Sequence, residues 1–292
     1  SSNAAEDSTM ALRFLIADNI VNTLKHSICR MAIHPDPVVI ELIAKAMDAE
    51  PDELAKDILS TILANAHQAR ITGIPLCQDT GTLVAFVDMG REVIIPEQTI
   101  DNVINQALEE ATRECGMRAS ILADPLYNRI NTFSNSPAII HLRQVEGEDL
   151  RIRLALKGGG AENMSRLAML TPAHAEQDII DYIVDTVIAA GGRPCPPLII
   201  GVGIGGNFET CALLAKEALF EPLDMPHPHS SYAALEQKIL QAVNATGVGP
   251  QGMGGISTAL AVKIKVAPCH IASLPVAVNL QCHAHRHTEI TF

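Results

Sequence analysis

The sequence contains no tryptophan and only 3% aromatic residues, which leaves no stacking platform for bases or sugars. Basic residues are also scarce: 21 Lys and Arg stand against 33 Asp and Glu, for a formal charge of −12. That sign does not suit nucleic acid or an anionic membrane as the main partner, and an anionic substrate would need a locally basic pocket. No apolar run reaches the roughly 18 residues of a membrane span. The chain does not open on the basic-then-apolar pattern of a signal peptide. Ser1-Ser2-Asn3-Ala4 reads as a remnant of tag cleavage, with 1–9 a flexible start. Cys-x-x-Cys pairs are missing, so a small zinc knuckle is excluded. Seven cysteines, an odd number without a secretion signal, suit a reducing, cytoplasmic setting where thiols serve metals or catalysis.

What is present is a chain of 292 residues, 48% hydrophobic and 18% charged, long enough for a substantial core in one large domain or two modest ones. Its first third is helical in pattern: 10–30 and 37–50 carry apolar residues at three- and four-residue spacing, and Pro51-Asp52-Glu53 opens a helix to about Arg70. Leu83 to Met89 has the length and composition of a buried strand, and 96–115 returns to helical spacing. Ile139–Val145 and Leu150–Lys157 read as a hairpin across Glu146-Gly147-Glu148-Asp149. Its second arm has Ile152, Leu154 and Leu156 on one face and Arg151, Arg153 and Lys157 on the other. Helices follow at 173–190, 208–220 and 232–244, and strands at 198–202, 262–266 and 274–280, with 222–230 a proline-rich loop. Without strict alternation of strand and helix, the class is α+β or irregular α/β, a helical N-terminal third followed by mixed elements. Residues 10–292 read as one catalytic domain, with room at 116–136 for a break into two subdomains that the sequence does not force.

Three cysteines stand alone in turn-like contexts: Cys77 in Pro75-Leu76-Cys77-Gln78-Asp79-Thr80-Gly81, Cys195 between Gly191-Gly192 and Pro196-Pro197, and Cys282 before His283. Three thiolates converging from distant loops would suit a [4Fe–4S] cluster with one iron left open as a Lewis acid; unrelated thiols are the alternative. Gln78 and Asp79 could hydrogen-bond a substrate held there, or satisfy a polar turn. Lys157-Gly158-Gly159-Gly160 could bring backbone N–H groups to an oxyanion, or simply turn the chain. Gly201, Gly203 and Gly206 fit Gly-x-Gly-x-x-Gly, but no acidic residue ends a second strand about 20 residues on, as a dinucleotide site requires. A helix N-terminus with free N–H groups shortly after Cys195 remains. The 247–255 segment is a flexible lid or a loop whose backbone lies against a ligand. Arg118 and Arg129 are candidate carboxylate clamps. His270, between two apolar strands, is placed to face a site, whereas His283, His285 and His287 read as an exposed tail in preference to a zinc or nickel site.

Together these residues resemble the class I (iron–sulfur) fumarate hydratases and related tartrate dehydratases, specifically their alpha subunit or the N-terminal domain of the single-chain forms. The likeness rests on Cys77 to Gly81, Arg118 ahead of Asp124-Pro125-Leu126, Lys157 to Asn163, Cys195-Pro196-Pro197 leading into Gly201 to Gly206, 247–255, and His270 twelve residues before Cys282. It implies that Cys77, Cys195 and Cys282 ligate a [4Fe–4S] cluster with one open iron, and that Gln78, Asp79, Arg118, Gly160 and His270 line a dicarboxylate site. Asp79 and His270 would handle protons and Arg118 would hold a carboxylate. The expected reaction is reversible hydration of a trans-enedioate such as fumarate to a 2-hydroxydiacid such as malate, or dehydration of L-tartrate. Expected partners are a small dicarboxylate and a beta subunit, in a homodimer of this subunit or a heterotetramer. Ala161 departs from the Ser of many relatives, which bears on substrate preference. A dicarboxylate needs two cationic anchors, yet besides Arg118 the glycine turns and cysteine loops carry only Arg193, beside a ligand, and Arg286, in the tail. A non-catalytic iron–sulfur sensor or a nucleotide-binding module is the competing class. A sensor has no need of Gln78, Asp79, Arg118 and His270 around its metal.

Overall fold

The structure, a computed structural model, describes residues 12–292; the reading of 1–9 lies outside them. In chain order its elements begin with β1 (Arg13–Phe14), α1 (Ala17–Ile33), α2 (Pro37–Ala49), α3 (Glu53–Thr72), β2 (Thr82–Gly90), β3 (Val93–Ile94) and α4 (Ile100–Glu114). Next come β4 (Ile139–Val145), β5 (Leu150–Lys157), the single turn α5 (Gly159–Glu162), β6 (Arg166–Leu170) and α6 (Glu176–Ala190). The chain closes with β7 (Leu198–Gly206), α7 (Phe208–Ala218), α8 (Ser230–Asn244), β8 (Ala259–Cys269), β9 (Leu274–Gln281) and β10 (Arg286–Thr291). This is an α+β protein with a helical N-terminal portion. None of its described helices is long and apolar enough to cross a membrane.

Local chemistry sets the helix ends. Asp36 accepts the Val38 N–H at 2.8 Å with Pro37 in the first turn, and Asp52 accepts the Ala55 N–H at 2.9 Å. Gly73, at φ +70°, closes α3 in the left-handed region and turns the chain toward Cys77. The first helix starts at Ala17 rather than Met10, because Arg13–Phe14 pairs in parallel with Val93–Ile94.

Two four-stranded sheets dominate, ordered β10-β5-β2-β4 and β6-β9-β7-β8. The expected hairpin does not form: β2 inserts between its arms, antiparallel to β5 (Phe86 opposite Arg153) and parallel to β4 (Phe86 opposite His141). The polar face of β5 explains the error. Arg153 and Lys157 do not point to water; they are buried and ion-paired, Arg153 to Glu217 on α7 at 2.9 Å and Lys157 to Glu162 at 3.1 Å. With both faces covered, β5 belongs in the middle of a sheet, and the largely exposed β4 takes the edge. Leu83, Leu154 and Leu156 of this sheet pack with Leu24 and Ile28 of α1 and Ile104 and Leu108 of α4. A disulfide between Cys29 of α1 and Cys115, the residue that caps α4, ties the same two helices together. The second sheet buries Ile200, Val202, Val278 and Leu280 against Ile183 of α6 and Ile239 of α8.

The glycine run 201–206 lies within β7, extending the strand four residues beyond its expected end. A Cβ on Gly201 would stand 2.2 Å from the Ala215 carbonyl, and one on Gly203 2.3 Å from that of Cys211. These glycines let α7 pack directly on the strand, which disposes of the nucleotide reading. The α7 N-terminus is also not beside Cys195: the nine-residue β7 intervenes, and Asn207 and Thr210 cap it, the Thr210 N–H reaching Asn207 Oδ1 at 2.9 Å.

Candidate active site

One end of the second sheet organises the site. β7 and β9 are antiparallel, so Cys195, ahead of β7, and Cys282, after β9, arrive at the same edge. The two loops are tied together: the His283 N–H donates to the Cys195 carbonyl at 3.4 Å, and His283 Nδ1 lies 3.0 Å from that oxygen. Cys77 and Asp79 come from the turn ahead of β2, where the Asp79 N–H reaches Cys77 Sγ at 3.4 Å and Asp79 Oδ2 accepts the Gly159 N–H at 2.8 Å. The glycine turn then touches the Cys195 loop, since a Cβ on Gly160 would lie 3.0 Å from the Arg193 carbonyl. Burial, then the Cys282 and Cys77 thiols and the Asp79 carboxylate, hold the Cys195 thiol above its ordinary range. Cys77, Cys195, Cys282, Asp79 and the Gly158–Gly160 turn therefore gather in one place. No three His, Cys, Asp or Glu side chains among the described residues are close enough to share a single metal ion.

The other cysteines stand elsewhere. Cys211 is buried with its thiol on the Gly203 carbonyl, at 3.3 Å, and Cys269 is exposed at the far end of β8. Gln78 is exposed, and Arg118 is exposed with its carbonyl accepting Thr80 Oγ1 at 2.7 Å, so both border the Asp79 turn. Ala161 is buried rather than facing outward. Arg129 turns back on its own loop, onto the Pro125 carbonyl. Arg193 turns away to the Ala190 and Ala189 carbonyls, where a cation suits the C-terminal dipole of α6.

His270 is not brought to the cysteines within one chain. β8 runs parallel to β7, so the turn after it lies at the opposite end of the sheet from Cys195 and Cys282, about 25 Å away by strand length. There His270 is exposed and its Nδ1 accepts the Ala272 N–H at 3.1 Å. The C-terminal histidines correct the expectation of an exposed tail. β10 pairs with β5, His285 is 3% exposed, and His285 and His287 stack with ring centroids 3.8 Å apart. Burial drives His285 down to about 3, so it is neutral at any physiological pH. The 247–255 loop is no free lid either: Gln251 Nε2 donates to the Pro196 carbonyl at 2.7 Å, and its backbone N–H reaches the same oxygen at 2.9 Å. Its glycines are required where a Cβ on Gly252 would meet Gly192 Cα at 2.6 Å. Gln251 is thus a supporting residue that its glycine-rich setting hid.

Behind the glycine turn lies a charge cluster that the sequence pattern did not disclose. Lys157, 3% exposed, donates to the Leu280 carbonyl at 2.6 Å and pairs with Glu162, which also meets Lys216. A cavity of about 560 Å3 opens beside it, lined by Thr82, His141, Lys157, Glu162 and Lys216 among others and by none of the cysteines. Burial alone would raise the Glu162 carboxyl, but Lys157 and Lys216 outweigh it and lower it from 4.5 to about 2. A depressed carboxylate contributes stability above its unfolded value and loses it as pH falls through its folded one. Glu162→Gln is therefore expected to cost about 2 kcal/mol at pH 7, below the figure for a fully buried pair because Glu162 is partly exposed. In urea titrations its deficit against the parent should shrink steadily below about pH 4.5. A deficit that stays constant down to about pH 3 would rule out this coupling.

Thiols from separate loops thus stand around the Asp79 carboxylate, with the Gly159 N–H upon it. A family model described as fumarate hydratase (Fumerase) matches residues 21–291. The chain belongs to that family and is a hydro-lyase. It is 36% identical over 276 residues to a protein of Methanocaldococcus jannaschii named "Putative L(+)-tartrate dehydratase subunit alpha", covering 93% of this chain and 95% of that one. It is 31% identical over 268 residues to the L(+)-tartrate dehydratase subunit alpha of Escherichia coli strain K12, covering 88% and 87%.

Proposed function

We propose that the chain is the alpha subunit of an iron–sulfur hydro-lyase acting on a hydroxydiacid, with L-tartrate favoured by the names of its relatives. Fumarate hydration to malate is the second reading, supported by the description of the family model. The observation that carries the proposal is the gathering of three free thiols from three loops beside Asp79. As a donor set it fits a cluster: thiolates are the usual ligands of [4Fe–4S], and a cubane spreads them roughly 6–7 Å apart, wider than a single ion allows. Cys77, Cys195 and Cys282 would hold it. When bound, the cluster would supply an open Lewis-acidic iron for a substrate hydroxyl and carboxylate.

The chain's own groups do the rest. Asp79 Oδ2, steadied by the Gly159 N–H, is an acceptor able to take or return the proton of a leaving or entering hydroxyl. Gln78, exposed beside it, is available to orient the substrate, and the open Gly159–Gly160 backbone permits close approach of an oxyanion. Arg118 offers its guanidinium to a carboxylate. In the proposed scheme His270, at the other end of its own sheet, reaches a site only if it is contributed by a second copy, which favours a homodimeric core. The relatives' designation as alpha subunits supports a beta subunit completing the assembly. Anaerobic reconstitution with that subunit, followed by assay of L-tartrate, meso-tartrate, fumarate, mesaconate and malate, tests the proposal. Turnover of L-tartrate at least about tenfold above the others in kcat/KM is expected. Absence of turnover on every diacid by an iron-loaded complex would sink the reading.

A further inference from the structure

The turn that carries Cys77, Gln78 and Asp79 hangs from two supports. At its start the Leu76 N–H donates to the Ala32 carbonyl on α1 at 2.8 Å, and the Leu76 carbonyl accepts Asn65 Nδ2 at 3.0 Å. At its end the buried Thr80 donates its hydroxyl to the Arg118 carbonyl at 2.7 Å, and that oxygen also accepts Asn135 Nδ2 at 3.0 Å. The two ends of the turn thus depend on different elements, the last turn of α1 and the segment that leaves α4. The disulfide between Cys29 and Cys115 joins those elements just ahead of both supports. Cys29 stands three residues before Ala32, and Cys115 three before Arg118, where the Met117 N–H returns to the Thr112 carbonyl at 3.2 Å.

The bond is placed to be made and broken. Its Cα atoms are 5.8 Å apart, within the span that a disulfide bridges without moving the backbone. Both cysteines are half-buried rather than sealed in the core, so a small thiol has access to them. The docking of α1 on α4 does not depend on the bond. Leu24, Ile28, Ile104 and Leu108 pack in one core, and Lys25 pairs with Glu110 at 3.4 Å and Glu114 at 3.1 Å. Reduction therefore leaves the helices together and loosens what hangs from their ends, displacing Cys77 and Asp79 as a unit. The five other cysteines are free, three of them the proposed cluster ligands, so the chain suits a setting in which thiols persist. A disulfide in such a setting is usually transient and redox-sensing rather than structural.

We propose that Cys29 and Cys115 form a reversible dithiol–disulfide site that exchanges with a small thiol–disulfide couple of the glutathione type, and that its state sets how firmly the Cys77–Thr80 turn is held. In the oxidising direction one cysteine thiolate attacks the incoming disulfide and expels a small thiolate, and the second cysteine then displaces the other half. Two protein thiols become one S–S bond, and the small disulfide, taking up their two electrons and two protons, leaves as two thiols. The site does not depend on the hydroxydiacid reading, and its test needs neither iron nor substrate. The full chain is poised anaerobically in oxidised or in reduced glutathione, its remaining thiols are alkylated for peptide mapping, and amide hydrogen exchange is followed at 76–80. Cys29 and Cys115 should be linked to each other in the first buffer and both alkylated in the second, and the amides at 76–80 should exchange about tenfold more slowly in the linked state. The double variant Cys29→Ser/Cys115→Ser should exchange like the reduced parent in both buffers. Cys77→Ser, whose turn has no thiol of its own to oxidise, should show the parent's response, and it carries the test if the double variant does not fold. A pair that never links, or that stays linked in the reducing buffer while the chain is folded, overturns the proposal. So does exchange at 76–80 that ignores the state of the pair, or that responds equally in the double variant, which would place the sensitivity in other thiols.

Discussion

Serine in place of Cys77, Cys195 or Cys282 is expected to strip the chain of iron and abolish turnover, whichever of the three is changed. The thiols arrive on separate loops, ahead of β2, ahead of β7 and after β9, so no sequence neighbour can replace a lost one. A hydroxyl is a poor donor to iron where soft thiolates were matched to it. Two remaining thiols could retain at most a labile fragment. Cys269→Ser supplies the contrast: that thiol is exposed at the opposite end of the sheet, and its loss should leave iron uptake at the parent level. Iron and acid-labile sulfide per chain after anaerobic reconstitution, with the visible absorbance, measure both. A full iron complement in any of the three serine variants, or its loss in Cys269→Ser, would show that the ligand set is wrongly assigned.

The residues that gather were legible because each stands in a short turn with its chemistry beside it. Cys77-Gln78-Asp79 and Lys157 to Gly160 are read directly from their order, and Gly159 meets Asp79 at 2.8 Å. What the sequence concealed depended on partners distant along the chain. Alternation in β5 marks two faces, but not that Glu217 and Glu162 cover the charged one, so the strand looked like the arm of an exposed hairpin. The same ambiguity affected the C-terminus. Histidines and an arginine at a chain end resemble a solvated tail until β10 is seen paired to β5 with His285 and Arg286 buried. Gly201 and Gly203 match a nucleotide spacing because close helix packing and phosphate approach both demand a missing Cβ; only the 2.2 and 2.3 Å approaches of α7 carbonyls decide between them. His270 shows the opposite case. Its motif context is specific, yet strand direction, which periodicity cannot report, sends it to the far end of the sheet.

The chain reconstituted alone is expected to turn over at least about a hundredfold more slowly than the same chain with its beta subunit, on the scale of a lost positioning surface. Cys195, Gln78, Gly160 and Arg118 are all exposed, so water has free access to one side of the site. A guanidinium in water holds a carboxylate by about 1 kcal/mol or less, and the same contact strengthens when a docked surface excludes solvent. The adjoining loop has the character of such a surface. Leu126, Tyr127, Ile130 and Phe133 are exposed on it, Tyr127 by 87%, yet the loop is fixed, since the Asp124 carboxylate accepts the Leu126 N–H at 2.9 Å and that of Tyr127 at 3.1 Å. Clustered apolar side chains on a rigid segment beside an open site are expected of a surface that is covered in the working assembly. Titrating beta subunit into iron-loaded alpha should therefore raise kcat/KM to a plateau at a fixed stoichiometry, with iron content unchanged throughout. Full turnover by the chain alone would place every catalytic group in this sequence, leaving Asp79, with His270 of a second copy, to supply the base.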